Sequence, residues 1–91
     1  MGPYAWVDGP TYLQKDPQLA NAVVGGSEGS RILRVCRAKL QDGTHPGKYF
    51  DGQCNIGWGG KEVVLTQGYE LLVNTQPQNA KFPDLGESRK P

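Results

Sequence analysis

Residues 34–73 read RVCRAKLQDGTHPGKYFDGQCNIGWGGKEVVLTQGYELLV, a succession of short apolar runs broken by glycine-bearing turns. Asp51-Gly52 is a two-residue signal for a type I′ turn, so Lys48–Phe50 and Gln53–Ile56 on either side of it are expected to form a tight hairpin. Ile32–Leu40 lies between Gly29-Ser30 and Asp42-Gly43 and reads as a long strand ending in a turn. Tyr69, Leu71 and Val73 alternate with Glu70 and Leu72, which puts three large apolar side chains on one face of a strand. Lys61–Thr66 supplies another strand, with Gln67-Gly68 as the turn after it. Gly57-Trp58-Gly59-Gly60 is expected as loop because three of its four residues are glycine, and His45 is expected in a Gly-Thr-His-Pro-Gly turn, with the next strand beginning after Gly47.

Outside this stretch the signals weaken. Residues 1–21 are punctuated by Gly2, Pro3, Gly9, Pro10 and Pro17, which leaves room for an edge strand at Tyr4–Val7 but for no helix of ordinary length. Residues 17–24, PQLANAVV, are the most helix-like, yet the Gly25-Gly26 pair that follows favours a strand at Ala22–Val24. From residue 74 the chain is polar and broken by proline, with Phe82 and Leu85 its large apolar residues, so 74–91 reads as a disordered tail or a docking arm beside a β domain over 1–73.

Composition narrows the classes of function. A chain of 91 residues is one domain with a modest core, burying about two thirds of the surface its unfolded form exposes. Ten Lys and Arg against nine Asp and Glu give a net charge of +1, which invites neither a nucleic acid nor an anionic membrane. The cluster Arg31, Arg34, Arg37 and Lys39 leans basic, but strand spacing sets Arg34 on the face opposite the other three, and it reads as a solvated surface. No apolar run approaches the roughly 20 residues of a membrane helix, and MGPYAWVDGP has no basic region followed by an apolar one. The chain is expected to be soluble, cytoplasmic or secreted, with no signal peptide in the segment given and no insertion into a membrane.

Catalysis and metal chemistry find little to work with. Cys36 and Cys54 are the only cysteines and His45 the only histidine, so neither a zinc site nor a disulfide-dense scaffold is indicated. A Cys36–Cys54 bridge and two buried free thiols both remain open, since a bridge needs a Cα separation of about 5.5 Å that sequence does not reveal. A nucleophilic pair of either cysteine with His45 lacks an orienting Asn or Asp, and Asp42, Asp51, Glu62 and Glu70 have no spacing that brings two carboxylates together for glycosidase chemistry. The glycines at 57–60 lack GxxxxGK[ST] and open no helix, so they are not a phosphate loop. The expectation is a binding module rather than an enzyme, without cofactor.

Three groups of strings carry a resemblance: AVVGG (Ala22–Gly26), VCRA with HPGK (Val35–Ala38, His45–Lys48), and CNIGWGGKE with YELL (Cys54–Glu62, Tyr69–Leu72). From about Trp6 to Val73 they resemble one DM-nine (DM9) repeat, the lectin-like module of an oyster mannose-binding lectin and of the front part of natterin-type pore-forming proteins. The resemblance implies an all-β fold, a small antiparallel β-sandwich, that binds mannose or mannose-containing glycans in the setting of innate immunity. Carried over by motif, the sugar-contacting acid is Glu28 of GGSEG and the lysine is Lys48 of HPGK, beside Gly47. Family members commonly place Asp where Glu28 stands, which shifts the carboxylate by about one methylene. Asn55 and Trp58 are added from their own chemistry, as an amide and a possible sugar platform, although Trp58 also suits a core or an interface. Glu28 as a solvated turn residue and Lys48 as a stem lying across a sheet face are the plain alternatives. Two-repeat lectins pack one repeat on the other, whereas this chain holds a single copy, so a homodimer, with a strand exchanged between subunits in one version, is expected. The competing class is a protein-interaction or assembly module of a larger defence or toxin system.

Overall fold

The computed structural model describes residues 3–76. They form seven strands, β1 (Tyr4–Asp8), β2 (Val24–Glu28), β3 (Arg31–Leu40), β4 (Gly43–Phe50), β5 (Gln53–Trp58), β6 (Lys61–Leu65) and β7 (Tyr69–Asn74), with one helix, α1 (Gly9–Lys15). The strand order is β1-β7-β3-β4-β5-β6, and every pairing is antiparallel. β4 pairs with one edge of β3, while β2 and β7 share the other edge end to end, β2 along Arg31–Arg34 and β7 along Cys36–Ala38.

The all-β, antiparallel class is as expected, and its layering arises within one sheet that bends at β4. Cys36 on β3 and Cys54 on β5 lie across β4 from Gly47 and Tyr49, and two strand spacings of about 4.8 Å with a two-residue offset of about 6.7 Å would hold their Cα atoms about 12 Å apart in a flat sheet. They stand 6.1 Å apart and are joined by a disulfide, which resolves the choice the sequence left open. Gly47 sits at the bend, opposite Cys36, where a Cβ would lie 2.5 Å from the carbonyl oxygen of Asn55 and 2.7 Å from Ile56 Cγ1. β4 accordingly pairs with β5 only over Lys48–Phe50.

The inner face carries the core. Cys36, Cys54, Ile56 and Leu71 are wholly buried, Tyr69 nearly so, and the Tyr49 and Tyr69 rings lie 5.8 Å apart. Full burial of a side chain such as Ile56 or Leu71 stabilises the fold by roughly 1.5–3 kcal/mol each. The alternation placed Arg34 with this inner face, away from Arg31, Arg37 and Lys39, as read from the spacing.

Several elements differ from the sequence reading. α1 occupies a segment read as too punctuated for an ordinary helix, and its seven residues start on signals of their own: the Asp8 carboxylate accepts from Thr11 N at 3.0 Å, and Pro10 stands in the first turn. Tyr12 and Leu13 then pack on the core, and Gly9 leaves room for the Tyr69 ring. Ala22 makes only an isolated bridge to Val73, and the strand begins at Val24, because the chain here passes from β7 to β3. Val23 N donates to Leu72 O at 2.9 Å and Val23 O accepts from Val35 N at 3.1 Å. His45, Pro46 and Gly47 are strand, paired with Ala38, Arg37 and Cys36. β4 is paired on one side only at Pro46, the situation in which a strand tolerates proline. Gly57 and Trp58 belong to β5, leaving Gly59-Gly60 as the turn, with φ of 61° and 76° as a type I′ turn requires. The Asp51-Gly52 hairpin is as expected, with φ of 51° and 87°. The tail expected as a disordered or docking arm lies, from residue 77 on, outside the described residues.

Candidate functional site

A groove of about 550 Å³ crosses the outer face of the sheet, from the end of β2 to the start of β6. Its placement follows from register. Lys48 on β4 stands opposite Asn55 on β5 and beside Val35 on β3, so these side chains share the outer face. Two residues along, Phe50 and Gln53 point the same way; two residues in the other direction stand Pro46 and Gly57, with Glu62 of β6 opposite Gly57. Glu28 pairs with Arg31 where the β2–β3 ribbon begins.

The structure thus brings Glu28, Gly47, Lys48 and Asn55 to one groove. Trp58 stands apart from it. Trp58 follows Cys54 and Ile56 at a spacing of two and shares their inner face, where Nε1 donates to Asp42 Oδ1 at 3.1 Å and the ring meets His45 edge-on at 6.5 Å. Asp42 Oδ1 also lies 2.6 Å from His45 Nε2, and hydrogen bonds from His45 and then Trp58 hold the Asp42 carboxyl below the usual carboxylate range. This cluster pins the β3–β4 hairpin end and supplies no platform to the groove.

Arg31, Phe50, Gln53 and Glu62 also line the groove. Sequence reading did not single them out as ligands, yet alternation from Lys48 and Asn55 points to Phe50, Gln53 and Gly57 once β4 and β5 are recognised as a hairpin. Glu62 needed the β5–β6 register. The Arg31 guanidinium lies 4.8 Å over the Phe50 ring, so this aromatic face is covered by a cation.

Two carboxylates, Glu28 and Glu62, and two cations, Arg31 and Lys48, therefore face one groove. Among the described residues none of the four forms an ion pair, whereas Arg37 binds Glu70 at 2.7 Å and lies 4.2 Å over the Trp6 ring. The Asn55 amide nitrogen donates to the backbone oxygens of Lys48 at 3.3 Å and Gln53 at 3.5 Å, which leaves its side-chain oxygen as an acceptor. The groove offers acceptors and donors in balanced number and no excess charge. Among the described residues no three His, Cys, Asp or Glu stand together to hold a metal ion, and no helix is long and apolar enough to cross a membrane. Both cysteines are in the disulfide, so neither offers a thiol to His45.

The architecture is that of a small antiparallel all-β module with a polar, charge-balanced groove on one sheet face. The chain belongs to the DM9 repeat family, whose model matches residues 26–86, a span that holds HPGK and CNIGWGGKE and begins at the last residue of AVVGG. No curated protein and no solved structure matches it.

Proposed function

We propose that this protein is a lectin that holds mannose-type glycans in the outer-face groove, without a metal and without catalysis. The observation that carries this reading is the convergence of Glu28, Lys48 and Asn55, from β2, β4 and β5, on one groove whose charged groups form no ion pair among the described residues. Such groups are ready for hydroxyls, which can donate and accept at once. Glu28 and the Asn55 side-chain oxygen accept from sugar hydroxyls, and the Lys48 ammonium donates to ring or hydroxyl oxygens. Equal numbers of carboxylates and cations suit a neutral ligand over an anionic one. The disulfide favours secretion over the cytoplasm as the setting.

A homodimer would present two grooves, and bivalency raises avidity for dense glycans without a new contact, the property an innate-defence agglutinin uses. An assembly role without sugar is the competing reading, and the specific feature on its side is Val24 and Ile32, which stand 58% and 56% exposed on the β2–β3 ribbon. Retention on mannose-agarose in the presence of a chelator separates the two. The lectin reading expects wild type to be held and released by free mannose, and Lys48→Ala, with an unchanged folded spectrum, to flow through. Self-association in sedimentation with no retention of wild type would favour assembly.

A further inference from the structure

The groove is longer than the Glu28–Lys48 pair requires, and its far end carries a carboxylate that the mannose reading leaves unused. Lys48 and Asn55 form its centre. By register Glu28 and Glu62 lie on opposite sides of Lys48, each two strands away from it. A single sugar held by Glu28, Lys48 and Asn55 therefore leaves Glu62, on the far side of Lys48, without a ligand group. A volume of about 550 Å³ falls in the range of about 300–1,000 Å³ that holds drug-sized ligands.

The groove is lined mostly by polar side chains, with Leu33 and Pro46 its aliphatic ones. Its one aromatic ring, Phe50, is covered by Arg31, so the sites on either side of the centre depend on hydrogen bonds rather than stacking. At the β6 end Gly57 has no side chain, and a Cβ there would meet nothing within 4 Å, which leaves open floor beside Glu62 for a ring to lie against.

We infer that the groove is an oligosaccharide site, in which Glu28, Lys48 and Asn55 hold one sugar and Glu62, over the open floor at Gly57, accepts hydrogen bonds from the hydroxyls of the next. This rests on the glycan reading and adds to it the length of the ligand and a residue that selects for length.

The test titrates the labelled full chain with mannose and with a linear mannotriose, and repeats both with Glu62→Gln, whose exposed position on β6 leaves the fold intact in a control spectrum. Mannotriose is expected to bind at least about tenfold tighter than mannose, with added shifts at Gly57–Glu62, and Glu62→Gln to lower the mannotriose affinity by about tenfold, the loss of one hydrogen bond to a charged group. Equal affinities for the two sugars, or an unchanged preference in Glu62→Gln, would overturn the extended site while mannose shifts at Glu28, Lys48 and Asn55 keep the glycan reading. No shift with either sugar would overturn both.

Discussion

At the scale of single residues, two positions show how local constraint shapes the module. Gly47 is glycine for want of space: its φ needs no special freedom, but a methyl group would press on the Asn55 carbonyl and Ile56 at the bend of β4. Gly47→Ala is expected to cost about 1–3 kcal/mol by overpacking, read as a lower urea midpoint at unchanged slope. Tyr69 is a buried phenol beside Tyr49, and burial, then the neighbouring Tyr49 charge, pushes its hydroxyl up to about 12 from 10. A folded value raised above the unfolded one means full stabilisation below pH 10 and its loss as pH climbs from 10 towards 12. Unfolding midpoints measured over that window should fall in wild type and fall less in Tyr69→Phe. Equal slopes would show that another group titrates there.

At the scale of elements, the Cys36–Cys54 bridge staples β3 to β5 across β4, the strands that carry Arg31, Lys48 and Asn55. It closes a loop of 18 residues, for which chain entropy predicts about 3 kcal/mol of stabilisation, so the Cys36→Ala, Cys54→Ala double variant should lose about that much in denaturant unfolding. A loss near zero would mean that the bend holds without it. Much of this layer was legible in the sequence, because turn chemistry is local. Asp51-Gly52 announces its own hairpin, and Tyr69, Leu71 and Val73 declare their buried face by alternation. The misreadings share one cause. Pro46-Gly47 and Gly57 look like punctuation, yet the first pair lies in a strand at a bend and the second in a strand before the true turn, so long-range pairing overrode residue type. The groove itself was only partly legible: the Lys48–Phe50 and Gln53–Ile56 hairpin sets Phe50 and Gln53 on the face of Lys48 and Asn55, whereas Glu62 and Glu28 needed the β5–β6 and β2–β3 registers. Trp58 takes the core place that its chemistry also allowed, since its face follows from belonging to β5.

At the scale of the whole molecule, the sheet divides its labour by face. The inner face spends its apolar side chains and the disulfide on stability, and the outer face gathers charges, of which the four that line the groove form no ion pair among the described residues. That division is what a binding module needs, because ligand groups held by the rigid strands of a bent sheet are ordered before the ligand arrives. A net charge of +1 over the chain fits the balanced groove and gives a polyanion no general attraction. The most direct test of the account is an NMR titration of labelled protein with mannose in chelator, beside Lys48→Ala. The account predicts saturable shifts at Lys48, Asn55 and Glu28 that vanish in Lys48→Ala, with Trp58 and His45 unmoved. A flat titration, or shifts centred on Trp58 and His45 instead, would contradict it.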